Sequence, residues 1–375
     1  MTPLREVVGV FFRLGATAFG GPAAHIALMR EEVVRRRRWL TDADLLDLVA
    51  AVHVIPGPNS TELAIHLGRR QAGWPGLLAA GAAFILPAFL IVTVVAAAYV
   101  RIGTTPQVRW LLYGVNPVVV AVVAEALVGF GRQSMTSVPR ALLAVGAGAA
   151  ALLGAHELVI LCAGAAVACA ASVGRRPGGL AGLALVAGPG ALSPLAAGAG
   201  PVPATLTGLG LFFLKVGSVL FGSGYVLLAF LRADLVERWH WLTEQQLLDA
   251  VAIGQVTPGP LFTTATFIGY VLAGLPGAVV ATIAIFAPAF VFVALTHGWV
   301  AWLRRSPAAS AALDGVRLGS VGLMAAVTLH LGRAAIVDVP TALLAAAAWG
   351  ALFWRRPNPT WLLAGGAVAG WLLGR

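Results

Sequence analysis

The feature that most constrains the fold of this chain is an internal repeat in which the same helix-breaking motifs occur twice. Three motifs of the first half recur at one constant spacing, Trp39-Leu40-Thr41 as Trp241-Leu242-Thr243, Leu45-Leu46-Asp47 as Leu247-Leu248-Asp249, and Pro56-Gly57-Pro58 as Pro258-Gly259-Pro260. A gap-free series of this kind indicates duplication of one structural unit. We expect two homologous repeats, residues 1–175 and 205–375, joined by a linker at 176–204.

The composition places both repeats in a membrane. Of the 375 residues 59% are hydrophobic and only 11% are charged, whereas soluble domains carry about 25% charged residues. This excludes a soluble enzyme and predicts an all-α polytopic membrane protein. The net charge of +10 is interpreted as a topology signal, because Lys and Arg mark cytoplasmic loops, and we expect no nucleic-acid partner. No metal-ligand spacing or nucleotide-binding loop occurs, so we expect no cofactor and no metal.

Each repeat is predicted to begin with two segments that are interrupted in the middle. The four segments are 4–38, 41–72, 205–238 and 243–274. Because Gly and Pro end helices, each arm has roughly 15 residues and a length of about 22 Å, too short for a hydrocarbon core of about 30 Å. Such a segment forms either a re-entrant hairpin or an interrupted crossing helix. About four further apolar helices follow in each repeat.

The basic residues favour hairpins and an inverted second repeat. If both broken segments return to the cytoplasm, Arg35 to Arg38 lie on the same side as Arg69 and Arg70, as the positive-inside rule requires. In the second repeat the basic pairs Arg304-Arg305 and Arg355-Arg356 fall in loops whose counterparts carry little charge. Inversion requires an odd number of crossings between the repeats, and the apolar stretch 180–200 is expected to supply one.

Inverted repeats with broken helices are typical of secondary transporters. A duplicated scaffold is the alternative, but a scaffold does not need the same break twice. A helix that starts inside the membrane exposes free N–H groups and its positive dipole end, and it therefore favours anions. The breaks and the first turns after them are the predicted substrate-binding positions: Gly20, Gly21, Pro22, Gly57, Pro58, Asn59, Ser60, Thr61, Gly222, Ser223, Gly224, Gly259, Pro260 and Thr263.

Three cations within apolar segments are further candidates for binding an anion. Arg13 and Lys215 occupy equivalent positions before the Gly breaks and are expected to face each other across the repeat axis. Snorkelling of both side chains to an interface is the alternative. Arg317, one turn from Asp314, is interpreted as an internal ion pair that also touches substrate.

Titratable groups near the breaks are candidates for coupling transport to protons. They are Asp47, Asp249, Glu62, Glu125 and His53. An intramembrane carboxylate can carry a proton or balance an arginine. For Asp47 and Asp249, helix capping or a surface salt bridge is an equally good explanation, and Glu62 at a helix start also suits the helix dipole.

The run Phe11-Phe12-Arg13-Leu14-Gly15, followed by Phe19-Gly20-Gly21-Pro22 and Pro56-Gly57-Pro58, resembles the chromate ion transporter family. The second half is similar to the C-terminal domain of its two-domain members. The resemblance implies a multi-pass protein of the bacterial inner membrane that exports chromate and confers chromate resistance. A carrier of sulfate or another oxyanion is the alternative within transport, and a membrane-embedded enzyme acting on lipid phosphates is the alternative outside it. A homo-oligomer is compatible with all three.

Overall fold

The structure is a computed structural model that describes residues 2–53, 55–103, 105–173, 203–221, 224–296, 307–355 and 357–374. Within this part of the chain all regular structure is helical, which confirms the predicted fold class. The first repeat contains α1 (Leu4–Thr17), α2 (Gly21–Arg30), α3 (Asp42–Val52), α4 (Asn59–Ile102), α5 (Pro106–Ser134), α6 (Val138–Leu152) and α7 (Glu157–Val173). The second contains α8 (Leu206–Val219), α9 (Leu227–Phe230), α10 (Glu244–Val256), α11 (Thr264–Thr296), α12 (Pro307–Ala335), α13 (Val339–Trp354) and α14 (Pro359–Leu373).

Four stretches of these helices are long and apolar enough to cross a membrane, Asn59–Ile102, Pro106–Ser134, Leu261–Leu295 and Ala309–Ala335. A π-helix continues α2 over Glu31–Arg36, and another continues α9 over Leu231–Arg238. The predicted linker crossing at 180–200 lies outside the described residues, as do Arg304 and Arg305.

Both broken segments of the first repeat are re-entrant hairpins. Glu6 at the start of α1 pairs with Arg37 at the far end of the same segment. In the next segment, Asp44 at the start of α3 accepts a bond of 2.8 Å from Arg70 near the end of the returning arm. The Thr41 hydroxyl, helped by Arg70, lowers the pKa of Asp44 to about 2, so this carboxylate is ionised at neutral pH. We call the side of the molecule that holds these ends the Arg37 face.

A kink at Ala72 and Gly73 separates the returning arm from the crossing part of α4. Gly73 has a φ of 62°, which favours glycine. The rest of α4, from Gly73 to Ile102, is about 45 Å long at 1.5 Å per residue and reaches the opposite side. The same kink recurs in α11 at Ala273 and Gly274, where φ is 60° for the glycine. The end of each hairpin therefore lies where the sequence predicts it.

The second repeat is inverted. The base of its second hairpin, at the start of α10, does not lie near Arg37. Instead, Asp249 accepts a bond of 2.8 Å from Tyr99, close to the far end of α4. Gln245, one turn earlier, lines the same cavity as Gly103 in the loop after α4. The hairpin bases of the two repeats thus lie at opposite ends of one crossing helix. We call this second side the Thr243 face.

The two repeats interlock through their long helices. α7 of the first repeat packs on α12 of the second, and α14 packs on α5 in the equivalent way. Glycine allows these close approaches: a β-carbon on Gly315 would lie 2.1 Å from the Gly164 carbonyl oxygen, and one on Gly114 would lie 2.0 Å from the Gly366 carbonyl oxygen. Contact between small residues is a common way for helices to associate in a membrane, where apolar burial does not drive association.

The prolines at the two breaks of the first repeat occupy different helix positions. Pro22 lies in the first turn of α2, whereas Pro58 is the N-cap residue of α4 and precedes its first helical residue. The reason is that the carbonyl of Pro58 already accepts the Thr61 and Glu62 N–H groups at 2.8 and 3.0 Å. The helix therefore begins one residue later, at Asn59.

Candidate functional site

The breaks of the two repeats contact each other through a reciprocal pair of backbone hydrogen bonds. The Gly57 N–H donates to the Leu220 carbonyl, and the Gly259 N–H donates to the Ala18 carbonyl, both at 2.8 Å. Gly57 and Gly259 are equivalent in the repeat, as are Ala18 and Leu220. The pair therefore follows the two-fold symmetry of the repeats and joins the second hairpin of each repeat to the first hairpin of the other.

This contact lies near the middle of the membrane-crossing region. A β-carbon on Gly259 would meet the Ala88 side chain at 2.6 Å. Ala88 is halfway between Gly73 and Ile102, about 22 Å from either end of the crossing part of α4. On the other side of the axis, Gly57 faces Ala289 of α11. Interrupted backbone is tolerated at such depth only where protein or a cavity surrounds it.

The first turn after the Pro-Gly-Pro break is completely packed. Asn59, Ser60 and Thr61 are all buried, with exposed fractions of 8%, 3% and 0%. The Thr61 hydroxyl has no hydrogen-bond partner in the described part of the chain. In the second repeat, the Thr263 hydroxyl is instead bonded to the Pro260 carbonyl at 2.8 Å. The two breaks therefore offer different polar groups to a ligand.

The glycine break of the first repeat has the conformation that only glycine adopts easily. Gly20 and Gly21 have φ values of 101° and 79°. Gly21 approaches the Tyr225 hydroxyl from the second repeat, and Gly20 approaches the amide oxygen of Asn358. Of the equivalent break, Gly222 and Ser223 lie outside the described residues, whereas Gly224 packs against Leu261 and Phe262. Tyr225 also donates a bond of 3.3 Å to Gln255.

Arg13 and Lys215 do not face each other, contrary to the sequence prediction. Arg13 pairs with Glu32 of its own π-helix. Lys215 pairs with the buried Asp234, also in a π-helix, and lies 3.7 Å from Glu157. Each cation thus pairs with a buried carboxylate of its own repeat, and Lys215 also lies near a buried carboxylate of the first repeat. Glu32 and Asp234 were not predicted as partners of these cations. Their equivalent positions in the two repeats were the sequence signal that could have identified them.

Arg317 is the predicted cation that lies against a break. It donates a bond of 2.9 Å to the His53 carbonyl, where α3 ends before the Pro-Gly-Pro motif. Its expected partner Asp314 is 3.9 Å away, because that carboxylate is held at 2.6 Å by Arg140. The ion pair is confirmed but long. The guanidinium of Arg317 therefore keeps donors for another ligand.

The predicted coupling groups differ strongly in their surroundings. Asp47 and Glu125 are exposed, and His53 is half-buried with Nδ1 2.5 Å from the Val49 carbonyl. Asp249 is buried and accepts three bonds from neutral donors, 2.8 Å from Tyr99, 3.2 Å from Asn116 and 2.9 Å from Gln245. Glu62 is buried without a partner for either carboxylate oxygen in the described part of the chain.

A cavity of about 690 Å³ extends from the Thr243 face towards Asp249. Its walls include Tyr99, Arg109, Tyr113, Asn116, Gln245 and Asp249. Aqueous access from this face therefore reaches the middle of α5, where Asn116 is the repeat counterpart of Arg317. Within the described residues, no cluster of three or more His, Cys, Asp or Glu side chains has the arrangement of a metal site.

Comparison with known families decides what kind of protein this architecture belongs to. The family model described as Chromate transporter matches the chain twice, over residues 5–171 and 207–371. The chain belongs to the chromate transporter family. Members of this family are membrane transporters, and the double match agrees with the duplicated helical architecture of the structure.

Several curated relatives resemble this chromate transporter family member over most of their length. A chromate transport protein from Cupriavidus metallidurans is 34% identical, with 98% of this chain and 92% of the relative covered. One from Pseudomonas aeruginosa is 33% identical, with 97% and 91% covered. A probable chromate transport protein from Synechococcus elongatus is 31% identical, with 91% and 88% covered. No solved structure matches the chain significantly.

Proposed function

We propose that this protein exports chromate from the cytoplasm across the bacterial inner membrane and thereby confers chromate resistance. Family membership and relatives named chromate transport proteins support the substrate. The basic residues predicted to be cytoplasmic, Arg35 to Arg38 and Arg70, all lie on the Arg37 face. Export then proceeds from the Arg37 face to the Thr243 face, towards the cavity at Asp249.

The reciprocal contact between the breaks is the observation that carries this proposal. It brings four interrupted segments to one place at mid-membrane. Alternating access requires a fixed site with two halves that move around it, and a two-fold pair of hydrogen bonds can open on one side while it is kept on the other. The free N–H groups at the start of α4 suit a tetrahedral oxyanion.

Arg317 supplies the positive charge in this mechanism. Its guanidinium lies against the end of α3 and already donates to backbone. A dianion at the break gains charge-assisted hydrogen bonds from such a group. Arg13 and Lys215 contribute indirectly, because their carboxylate partners hold the arms of the first hairpins in position.

The direct test is chromate flux into inside-out proteoliposomes that hold only this protein. Arg317→Ala is expected to lower the flux about 10- to 150-fold, since a hydrogen bond to a charged group contributes roughly 1.5–3 kcal/mol. Arg132→Ala removes an exposed arginine from the end of α5 and is the matched control. Wild-type flux in Arg317→Ala would contradict the role of this residue.

Competition distinguishes the alternative substrates. Sulfate is also a tetrahedral dianion, so the geometry of the breaks alone favours neither ion. Excess sulfate that abolishes chromate flux, together with faster sulfate flux, would identify a sulfate carrier. Release of phosphate from lipid phosphates without any oxyanion flux would identify the enzyme alternative. Oxyanion flux without phosphate release is the expected result.

A further inference from the structure

Glu62 is a titratable group at the break of the first repeat whose carboxyl group is buried without a hydrogen-bond partner among the described residues. Its exposed fraction is 0%, and the absence of a partner holds for both carboxylate oxygens. The nearby cations Arg13 and Arg317 are paired with Glu32 and Asp314 instead. A lone ionised carboxylate buried in this way would be very costly, so the group is neutral in this conformation.

The carboxyl group folds back onto the break itself. A β-carbon on Gly57 would lie 2.4 Å from Glu62 Oε1, so the carboxyl occupies the space that this glycine leaves open. Glu62 lies in the first turn of α4, and its backbone N–H donates to the Pro58 carbonyl at 3.0 Å. The Thr61 hydroxyl beside it is also buried without a partner. Two unsatisfied polar side chains therefore lie at a helix start where an anion is favoured.

The second repeat has no equivalent proton-binding group. Thr264 occupies the corresponding position, and its hydroxyl is bonded to the Leu261 carbonyl at 2.8 Å. The glycine and the prolines of both breaks are retained, whereas Asn59, Ser60 and Glu62 of the first repeat are replaced by Leu261, Phe262 and Thr264 in the second. Of these two equivalent positions, only that of Glu62 thus carries a carboxyl group.

We infer that Glu62 binds a proton that travels with the dianion, and that the first-repeat break accepts an oxyanion only while this carboxyl is protonated. The inference rests on the proposed function. An ionised carboxylate at this place would compete for the N–H groups of α4 and repel a dianion. A protonated carboxyl removes the repulsion and can donate a hydrogen bond to an oxyanion.

Other titratable groups around the break have separate roles in this scheme. α11 carries no charged side chain, and Arg13 of α1 pairs with Glu32. Towards the Arg37 face, Arg30 pairs with Asp42, and Arg70 pairs with Asp44. Closer to the breaks are His25, His53 and Arg317, and His66 follows Glu62 by one turn of α4. His25 Nε2 lies 3.2 Å from the Ala18 carbonyl, and Arg317 donates to the His53 carbonyl, so both are bonded to the main chain and not to the Glu62 carboxyl.

The experiment measures binding of labelled chromate to the purified full-length protein over a series of pH values. At pH values above the range in which Glu62 loses its proton, the wild-type affinity for chromate is expected to fall about tenfold per pH unit. The reason is that each unit lowers the protonated fraction of Glu62 tenfold. Glu62→Gln keeps the neutral shape and is expected to bind at every pH as the wild type binds at acid pH. Asp42→Asn removes an exposed carboxylate from the start of α3 and is expected to keep the wild-type profile.

Proton uptake gives a second measurement that needs no variant. In weakly buffered alkaline solution, the wild-type protein is expected to take up one proton for each dianion bound. Three results would each overturn the role of Glu62: a flat wild-type pH profile, no proton uptake, or an unchanged pH profile in Glu62→Gln. If chromate still bound in these experiments, the proposed function would stand. A wild-type protein that binds no oxyanion at any pH would overturn both proposals.

Discussion

Replacing Gly259 by alanine tests whether the contact between the two breaks holds the repeats together. This glycine has a φ of 96°, a region that other residues rarely adopt. A β-carbon would lie 2.6 Å from the Ala88 side chain and 3.3 Å from the Gly15 carbonyl oxygen, both in the other repeat. Either the breaks separate or the N–H bond from Gly259 to the Ala18 carbonyl lengthens.

The expected cost has two parts. Backbone strain at such a φ costs about 1–3 kcal/mol, and overpacking of a well-packed site costs another 1–3 kcal/mol or so. Gly259→Ala is therefore expected to lower the free energy of unfolding by about 2–6 kcal/mol. The variant is also expected to lose chromate flux, because the symmetric contact on which alternating access depends is displaced.

Two other glycines separate strain from steric contact. Gly73 also has a positive φ, of 62°, but a β-carbon there would meet nothing within 4 Å, so Gly73→Ala is expected to cost only the backbone strain of about 1–3 kcal/mol. Gly129 lies inside α5 with equally open surroundings and an ordinary helical φ, so Gly129→Ala is expected to stabilise the protein by about 0.5–1 kcal/mol.

Unfolding in mixed detergent micelles, followed by circular dichroism, ranks the three variants. The reasoning predicts that Gly129→Ala is the most stable, followed by Gly73→Ala and then Gly259→Ala. Equal stability of Gly73→Ala and Gly259→Ala would show that the β-carbon meets no obstacle at the break. Chromate flux per folded molecule is expected to follow the same order. Gly73→Ala should lose less flux than Gly259→Ala, because Gly73 lies at the Arg37 face and away from the breaks.

The remaining predictions concern helix packing and the buried ion pairs. Gly315→Val is expected to destabilise the protein by at least about 1–3 kcal/mol, because the valine side chain would overpack the contact between α7 and α12. At Gly350 a β-carbon would meet nothing within 4 Å, so Gly350→Val is expected to have a much smaller effect in the same unfolding assay. Equal losses would contradict this packing argument. Asp234→Ala is expected to cost about 3–5 kcal/mol, because it removes the buried carboxylate that pairs with both Lys215 and Arg238. Replacing the exposed Asp47 by alanine is expected to change the unfolding midpoint little. A small effect of Asp234→Ala would show that the ion pair does not stabilise the hairpin.

Local chemistry made much of the architecture predictable from the sequence. Proline and glycine stop helices wherever they occur, so the breaks and the ends of the hairpins could be placed from the residues themselves. The charge distribution predicted hairpins that return to one side, and the pairing of Glu6 with Arg37 confirms them for the first segment. The repeat predicted segment ends at residues 72 and 274, and the structure has a kink at both places.

The composition of the candidate site was less predictable, because it depends on contacts between distant residues. The repeat showed that Arg13 and Lys215 are equivalent, but it did not show that each is held by a carboxylate of its own repeat. Equivalence by a two-fold axis also does not require two residues to meet at that axis. The prediction that the two cations face each other failed for this reason.

The sequence by itself determined that the chain is a duplicated, membrane-embedded helical protein whose helices break in four places. Only the tertiary structure decided that Gly57 and Gly259 each bond to the other repeat and that Arg317 lies at the break. It also decided that the Glu62 carboxyl is buried there with no hydrogen-bond partner among the described residues. Helix breaks follow from backbone chemistry within a few residues. Burial and pairing follow from how two inverted halves pack, and no pattern within one half specifies which groups the other half will cover.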